Sequence, residues 1–405
     1  MRIENLKSEE KNNLARVAAT VIWEDCDRPA QEIYFETTLE FAQGLSCNPH
    51  AFLVACIMPA MHYGEERVFI DAEICPELRD GLMTAMGWVC RWYESGRQPV
   101  RIEAKMRSHL PTLRTPDRAG FFFSGGIDSL STLRANRLDF SLEHHRSIKD
   151  GLLIHGIERH TVEDNNKQLE NFERHLNSLS EIAQDAAIAL IPVYTNVRCL
   201  EDSLDFWQYE FQAAVLSSVA HAFSRRLTEV TIASSENIPY VEPYGSHPIL
   251  DPNYSSSDLR IRHGSILLSR LGKTRLVAEW DVALQHMKPC TKNQYGKLNC
   301  GRCEKCIRTM TTLLALGVLD RASAFPQTDV SEELMLSGAY VDNIGAASDY
   351  LALVDLLEEK GRYDLVRGIK RIIARYHERD LKGIITRFDR QLFKGNLVRL
   401  GKKML

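Results

Sequence analysis

Through the first hundred residues, apolar side chains come in short runs of strand length, VAATVIW, EIYFETTL, FLVACIM, RVFIDAEI and PVRIEAKM, between about residues 14 and 103. Among them only residues 76–93 space their apolar positions as a helix does. This pattern predicts a small α+β domain over residues 1–115. Between residues 97 and 119 the pattern lapses, and Pro99, Pro111 and Pro116 sit among basic residues in the composition of a linker. The period then changes. Strands at 121–123, 152–155, 189–194 and 229–234 alternate with a helix entered at Ser129 and with helices at about 162–187 and 204–227. Strand and helix taking turns predict a parallel sheet covered on both faces, an α/β domain over residues 116–320. Residues 321–405 read as a helical C-terminal region with a basic ending: Arg367, Lys370, Arg371, Arg375, Arg387, Arg390, Lys394, Arg399, Lys402 and Lys403.

Composition changes this picture little. Hydrophobic residues at 44% and charged residues at 26% are the balance of a globular chain, and 405 residues suffice for two or three cores. A formal net charge of −4 gives no global field for a polynucleotide, so nucleic-acid contact would need a local patch. In the basic ending, Glu378, Asp380 and Asp389 interrupt the bases, which is the pattern of a solvated helix. The start, MRIENLKSEEKNNLARV, is polar, and no run of about 18 apolar residues occurs. The expectation is a cytoplasmic protein without membrane contact. Its cysteines fit a reducing compartment: Cys26, Cys47, Cys56, Cys75, Cys90 and Cys199 are scattered as small core fillers, while the other four crowd into residues 290–306.

Candidate chemistry begins at the first strand-to-helix turn of the alternating region. After three phenylalanines comes Ser124-Gly125-Gly126-Ile127-Asp128-Ser129. Adjacent glycines let backbone amides converge on an anion, because they tolerate positive φ and put no Cβ in the way. The helix N-terminus adds free N–H groups and partial positive charge. A pyrophosphate suits such a cradle. Ser124 and Ser129 are placed to donate hydrogen bonds to phosphate, and Asp128 to position magnesium or a nucleotide hydroxyl. Neither G-x-x-x-x-G-K-[ST] nor G-x-G-x-x-G occurs, which removes the main support for kinases, GTPases and dinucleotide oxidoreductases. The bland alternative is a tight turn in which Asp128 and Ser129 cap a helix.

The crowded cysteines read Cys290-x9-Cys300-x2-Cys303-x2-Cys306. Four thiolates with short C-x-x-C steps and a glycine in the knuckle can close a tetrahedron around Zn²⁺ with no position left for water, a structural site. Lys292, Lys297, Arg302 and Lys305 offset its charge. An iron–sulfur cluster competes, since C-x2-C-x2-C also opens the bacterial ferredoxin run, although here the fourth cysteine lies upstream and no C-P dipeptide follows.

The S-G-G-x-D-S string after an apolar strand resembles the PP-loop of the ATP pyrophosphatases. With the cysteine knuckle, Lys273 in Gly272-Lys273-Thr274-Arg275, and Arg308 just after Cys306, the stretch from about residue 120 to 317 is most similar to the 7-cyano-7-deazaguanine synthases, the QueC-like branch. The resemblance implies a Rossmann-like α/β fold that holds the β- and γ-phosphates of ATP in the loop while an acceptor attacks the α-phosphate. It implies Mg²⁺ and Zn²⁺ as cofactors, Lys273 as the group that neutralises developing phosphate charge, and a deazaguanine carboxylate that is adenylated and then converted to an amide or a nitrile.

The chain departs from that family in its flanking regions and in the loop after the fourth strand. That loop runs Ser234-Ser235-Glu236-Asn237 and then PYVEPYGSHPILDPNYSSSDLRIRHGS. A polar loop after the carboxyl end of a parallel strand is where open α/β sheets bind ligands. Glu236, Tyr244, His247, Asp251 and Ser255 are therefore candidates for substrate contact or proton transfer, His247 first, and the resemblance adds Arg308 as a residue near the nucleotide or substrate. The added regions fit an alternative product: QueC-like proteins with extra domains occur in anti-phage operons, and the resemblance suggests delivery of the activated deazaguanine to an amine of a partner protein. A tRNA-modifying enzyme and a nucleotide-sensing zinc protein are the further alternatives.

Overall fold

The computed structural model describes residues 1–93, 96–109, 117–157, 165–290, 292 and 296–393. Pro111 and Pro116 of the expected linker, the first residues of the helix expected from 162, and Lys394, Arg399, Lys402 and Lys403 lie outside them. The chain forms two compact units, residues 1–268 with 282–288, and residues 269–281 with 289–405.

The first unit is built on one ten-stranded sheet: β1 (Arg2–Lys11), β2 (Leu14–Ile22), β3 (Gln31–Thr38), β4 (Arg67–Ile74), β5 (Arg101–Met106), β6 (Ala119–Phe122), β7 (Ile148–His155), β8 (Ala189–Thr195), β9 (Glu229–Ala233) and β10 (Arg260–Gly264). Their order is β10-β9-β6-β7-β8-β3-β2-β1-β4-β5. The five strands from β10 to β8 are all parallel. Counted along the chain their order is 5-4-1-2-3, so the direction of winding reverses between β6 and β9. Open α/β sheets place ligands outside the carboxyl ends of the strands at such a reversal.

The strands expected to form a small domain of their own join this sheet instead. β3 lies antiparallel to β8, with Phe35 opposite Thr195 and Thr37 opposite Val193. Thr37 Oγ1 donates to the Pro192 carbonyl (2.7 Å) and Thr195 Oγ1 to the Tyr34 carbonyl (2.7 Å), so side chains also stitch the seam. β1 is a further strand beyond the predicted ones. It turns into β2 through Asn12 and Asn13, both at positive φ (54° and 61°), the backbone a two-residue hairpin turn requires and asparagine tolerates.

One expected strand is a helix. FLVACIM falls within α1 (Pro49–His62), whose residues 50–61 are all buried. A continuous apolar run does not reveal its period, because a helix covered on every side needs no polar face. The discriminating signal is local: Asn48 caps the helix by accepting from the His50 N–H, and Pro49 starts it. The remaining helices of this unit are α2 (Pro76–Tyr93), α3 (Ile127–Asp139), α4 (Asn165–Asp185) and α5 (Gln212–Ala222). The helix expected over 204–227 is broken by a π-helical turn, Trp207–Phe211, immediately before α5. α3 packs against β7 and β9, α4 against β7 and β8, and α5 against β9. α1 packs against α5.

The second unit is helical. It contains α6 (Arg270–Ala278), α8 (Glu304–Leu316), α9 (Glu332–Gly338), α10 (Ile344–Leu351), α11 (Val354–Glu359) and α12 (Tyr363–Phe393), whereas α7 (Asp281–His286) falls almost wholly in the first unit. The four-cysteine segment, expected within the α/β domain, groups with these C-terminal helices. Glu332 on α9 pairs with Arg367 and Arg371 of α12, so part of the basic ending is engaged within the fold.

Candidate functional site

The SGGIDS turn follows β6, beside the reversal of strand order. Phe121 and Phe123 are fully buried with ring centroids 5.0 Å apart, which anchors the strand that delivers the turn. Gly125 has φ +69°, and Gly126 is the N-cap of α3 with no side-chain cap bond. A Cβ on Gly125 would stand 2.7 Å from Leu179 Cδ2 and 3.3 Å from His175 Nε2. Close packing against α4 and the positive φ both require glycine here. A Cβ on Gly126 would meet only Ser124 Oγ, at 3.5 Å. Ser124 Oγ donates to Ser129 Oγ (3.3 Å), and Ser129 Oγ in turn donates to the Gly126 carbonyl (3.0 Å). Asp128 sits in the first turn of α3, half-buried.

Three features around the turn have no local signature in the sequence. His175 of α4 donates from Nε2 to the Ser124 carbonyl (3.1 Å). The Lys288 N–H donates to the Gly125 carbonyl (2.8 Å). Burial first, and the Lys288 charge second, push His175 down to about pH 3, so its ring is neutral. Across the turn, Thr132 Oγ1 on α3 lies 2.7 Å from Ser265 Oγ after β10.

The loop between β9 and β10 divides its candidate residues by role. Asp251 is fully buried and accepts from Ser246 Oγ, the His247 N–H and His263 Nδ1, each at 2.8 Å. Ser255 Oγ accepts from the Ile261 N–H (2.9 Å). Both residues organise the loop. His247 accepts at Nδ1 from the Ile249 N–H (3.2 Å) and packs its ring 4.8 Å from Trp92. Burial lowers its pKa below the usual histidine range. Tyr244 meets Tyr209 of the π-turn edge-on at 5.9 Å. Glu236 is half-buried, and its carbonyl accepts from Ser234 Oγ (2.6 Å). A cleft of about 440 Å³ lies at the other end of the strands, where Ala119 and Glu229 begin β6 and β9, with Arg146 and Arg262 among its lining residues. It is remote from the phosphate turn by topology.

In the second unit, Lys273 is fully buried on α6. Arg308 pairs with Glu304 (3.1 Å) and Asp349 (3.2 Å), so two carboxylates already hold its guanidinium. The four cysteines come together and are all buried. Cys290 Sγ lies 3.7 Å from Cys303 Sγ, and Cys300 Sγ 3.9 Å from Cys306 Sγ. A tetrahedron with Zn–S bonds of about 2.3 Å has edges of about 3.8 Å. Those two edges match it, and all four sulfurs lie within 4.8 Å of one another, so the set could hold one metal ion. Gly301 reaches φ +69°, which lets the Arg302 and Cys303 N–H groups donate to Cys300 Sγ (3.4 and 3.3 Å). Cys303 caps α8 and Cys306 lies in its first turn, so the helix dipole favours negative sulfur. Contacts with Cys303 and Cys306 hold Cys290 far below the usual thiol range, while Cys290 pushes Cys306 far above it.

No helix among the described residues is long and apolar enough to cross a membrane. The chain matches no protein-family profile, no curated protein and no solved structure.

Proposed function

We propose that this protein activates a carboxylate by adenylation at the SGGIDS turn, with 7-carboxy-7-deazaguanine or a related acid as acceptor and Zn²⁺ in the cysteine knuckle as a structural ion. The observation that carries the reading is the placement of a two-glycine turn and an uncapped helix N-terminus at the carboxyl end of β6, where strand order reverses. The turn amides and Ser124 would hold the β- and γ-phosphates, and Asp128 would hold Mg²⁺, which supplies charge neutralisation on the phosphate oxygens. A carboxylate oxygen then attacks the α-phosphorus, the bond to the bridging oxygen breaks, and pyrophosphate leaves. A nitrogen nucleophile attacks the acyl carbon of the mixed anhydride, loses a proton, and AMP departs with the former carboxylate oxygen. The product is an amide, which a second adenylation would dehydrate to a nitrile.

A second reading, transfer to an amine on a partner protein, is favoured by aliphatic side chains exposed on the loops after β9 and β10: Ile238, Ile249 and, at 81% exposure, Leu267. The test for both is incubation with ATP, Mg²⁺ and 7-carboxy-7-deazaguanine, with and without ammonia, followed by mass analysis. AMP together with an amide or nitrile supports the small-molecule product; AMP without release of product points to a protein acceptor. Turnover of other carboxylates but not this one removes the deazaguanine assignment. No AMP with any carboxylate removes adenylation.

A further inference from the structure

The phosphate turn is held from behind. The Ser124 carbonyl accepts from His175 Nε2 and the Gly125 carbonyl from the Lys288 N–H, at 3.1 and 2.8 Å. In a planar trans peptide the C=O and the following N–H point to opposite sides. Fixing the Ser124 oxygen toward α4 therefore aims the Gly125 N–H away from α4. Fixing the Gly125 oxygen toward Lys288 likewise aims the Gly126 N–H away from that segment. The Gly126 N–H has only a long contact, 3.4 Å, to Ser124 Oγ, and among the described residues no acceptor meets the Gly125 N–H. Leu179 and the Lys288 backbone leave no room for a Cβ on Gly125, whose φ of +69° is open to glycine at no steric cost.

We propose that His175 and the Lys288 backbone amide are positioning groups that preorganise this turn as a cradle for the β,γ-pyrophosphate of ATP, an inference that rests on the adenylation reading. Without the two ties, the Ser124 and Gly125 peptides are free to flip and turn carbonyl oxygens, partial negative charges, toward the phosphate. With them, the amide dipoles face the anion before it arrives and need no reorganisation. A carbonyl can only accept, so His175 must carry its proton on Nε2. The neutral ring suffices for this.

The experiment is calorimetric titration of the full chain, in Mg²⁺, with ATP, inorganic pyrophosphate and AMP. H175L, which lacks the donor, is expected to weaken ATP and pyrophosphate by about tenfold or more and to leave AMP within about twofold, because AMP has no β- or γ-phosphate. H175Q, which offers an amide donor of similar reach, is expected to recover most of that loss. A residue that serves only to hold the fold would weaken all three ligands or only lower the melting temperature. Amide hydrogen exchange on the wild-type chain gives a second readout should H175L not fold: added pyrophosphate is expected to slow exchange at Gly125 and Gly126, and unchanged exchange there overturns the proposal. Equal affinities in wild type and H175L overturn it while leaving adenylation intact. A wild-type chain that binds neither ATP nor pyrophosphate overturns both.

Discussion

The SGGIDS turn and the cysteine knuckle are both a glycine turn followed by a helix start, yet their polar groups are settled in opposite ways. At the turn, the protein has already settled its own polar groups: carbonyls are tied back, α3 is uncapped, and the open side carries N–H groups. At the knuckle, four buried sulfurs lie within 4.8 Å of one another, two pairs of them 3.7 and 3.9 Å apart, with no other centre to gather around than an ion they could share. Under the proposed adenylation, the first would be folded before its ligand arrives. With Zn²⁺ bound as proposed, the folding of the second would include its ligand, because binding free energy there would be folding free energy.

The largest effect that tests this contrast is loss of the metal. Chelation or C306S should remove on the order of 10 kcal/mol of binding free energy from the second unit, read as disappearance of one calorimetric transition while the other remains. Loss of both transitions would show that the knuckle supports the first unit as well. Next in size, D128A should lower pyrophosphate release by roughly 10²- to 10⁴-fold, the range of a lost charge-stabilising group, with a melting temperature close to wild type. Full activity in that variant would remove the turn from the chemistry.

Acid should separate the two regions further. His50, His175 and His221 of the first unit are held down to about pH 3, 3 and 4 by burial. A histidine with a depressed folded pKa favours folding above its unfolded value near 6.5 and loses that advantage as pH falls toward the folded value, because the unfolded chain takes up the proton first. Each should cost about 1.4 kcal/mol per pH unit between roughly pH 6.5 and 4. Urea melts across that window should show the slope, and H221Q should flatten it; an unchanged slope would assign acid sensitivity elsewhere. The smallest effect expected is at His247. With Nδ1 bonded to the Ile249 N–H and the ring against Trp92, H247A should cost about 1 kcal/mol of stability and leave AMP formation within about threefold. A hundredfold loss of amide formation at unchanged AMP formation would restore it as the proton acceptor.

The legible parts of this chain were local. SGGIDS and the four cysteines are written in consecutive residues, and β6, β7, β8 and β9 declare themselves by alternation with helices. What was not legible depends on residues far apart. The seam between β3 and β8 joins Tyr34 to Asn196, and the tie behind the phosphate turn joins Ser124 to His175. Neither partner has a sequence pattern that points to the other. α1 was misread for the opposite reason: its apolar run was too uniform to carry a period, and only Asn48-Pro49 marked it. β10 was missed because RIRHG looks polar; as the last strand of the sheet it leaves arginines at its edge.

The all-apolar surface of α1 also bears on how the chain is made. Its cover includes α5, which begins at Gln212, about 150 residues later in synthesis. Until that segment leaves the ribosome, an almost wholly apolar helix lacks part of its cover, with β9 and β10 still to join the sheet, and such surface is what chaperones bind and what aggregates when they are scarce.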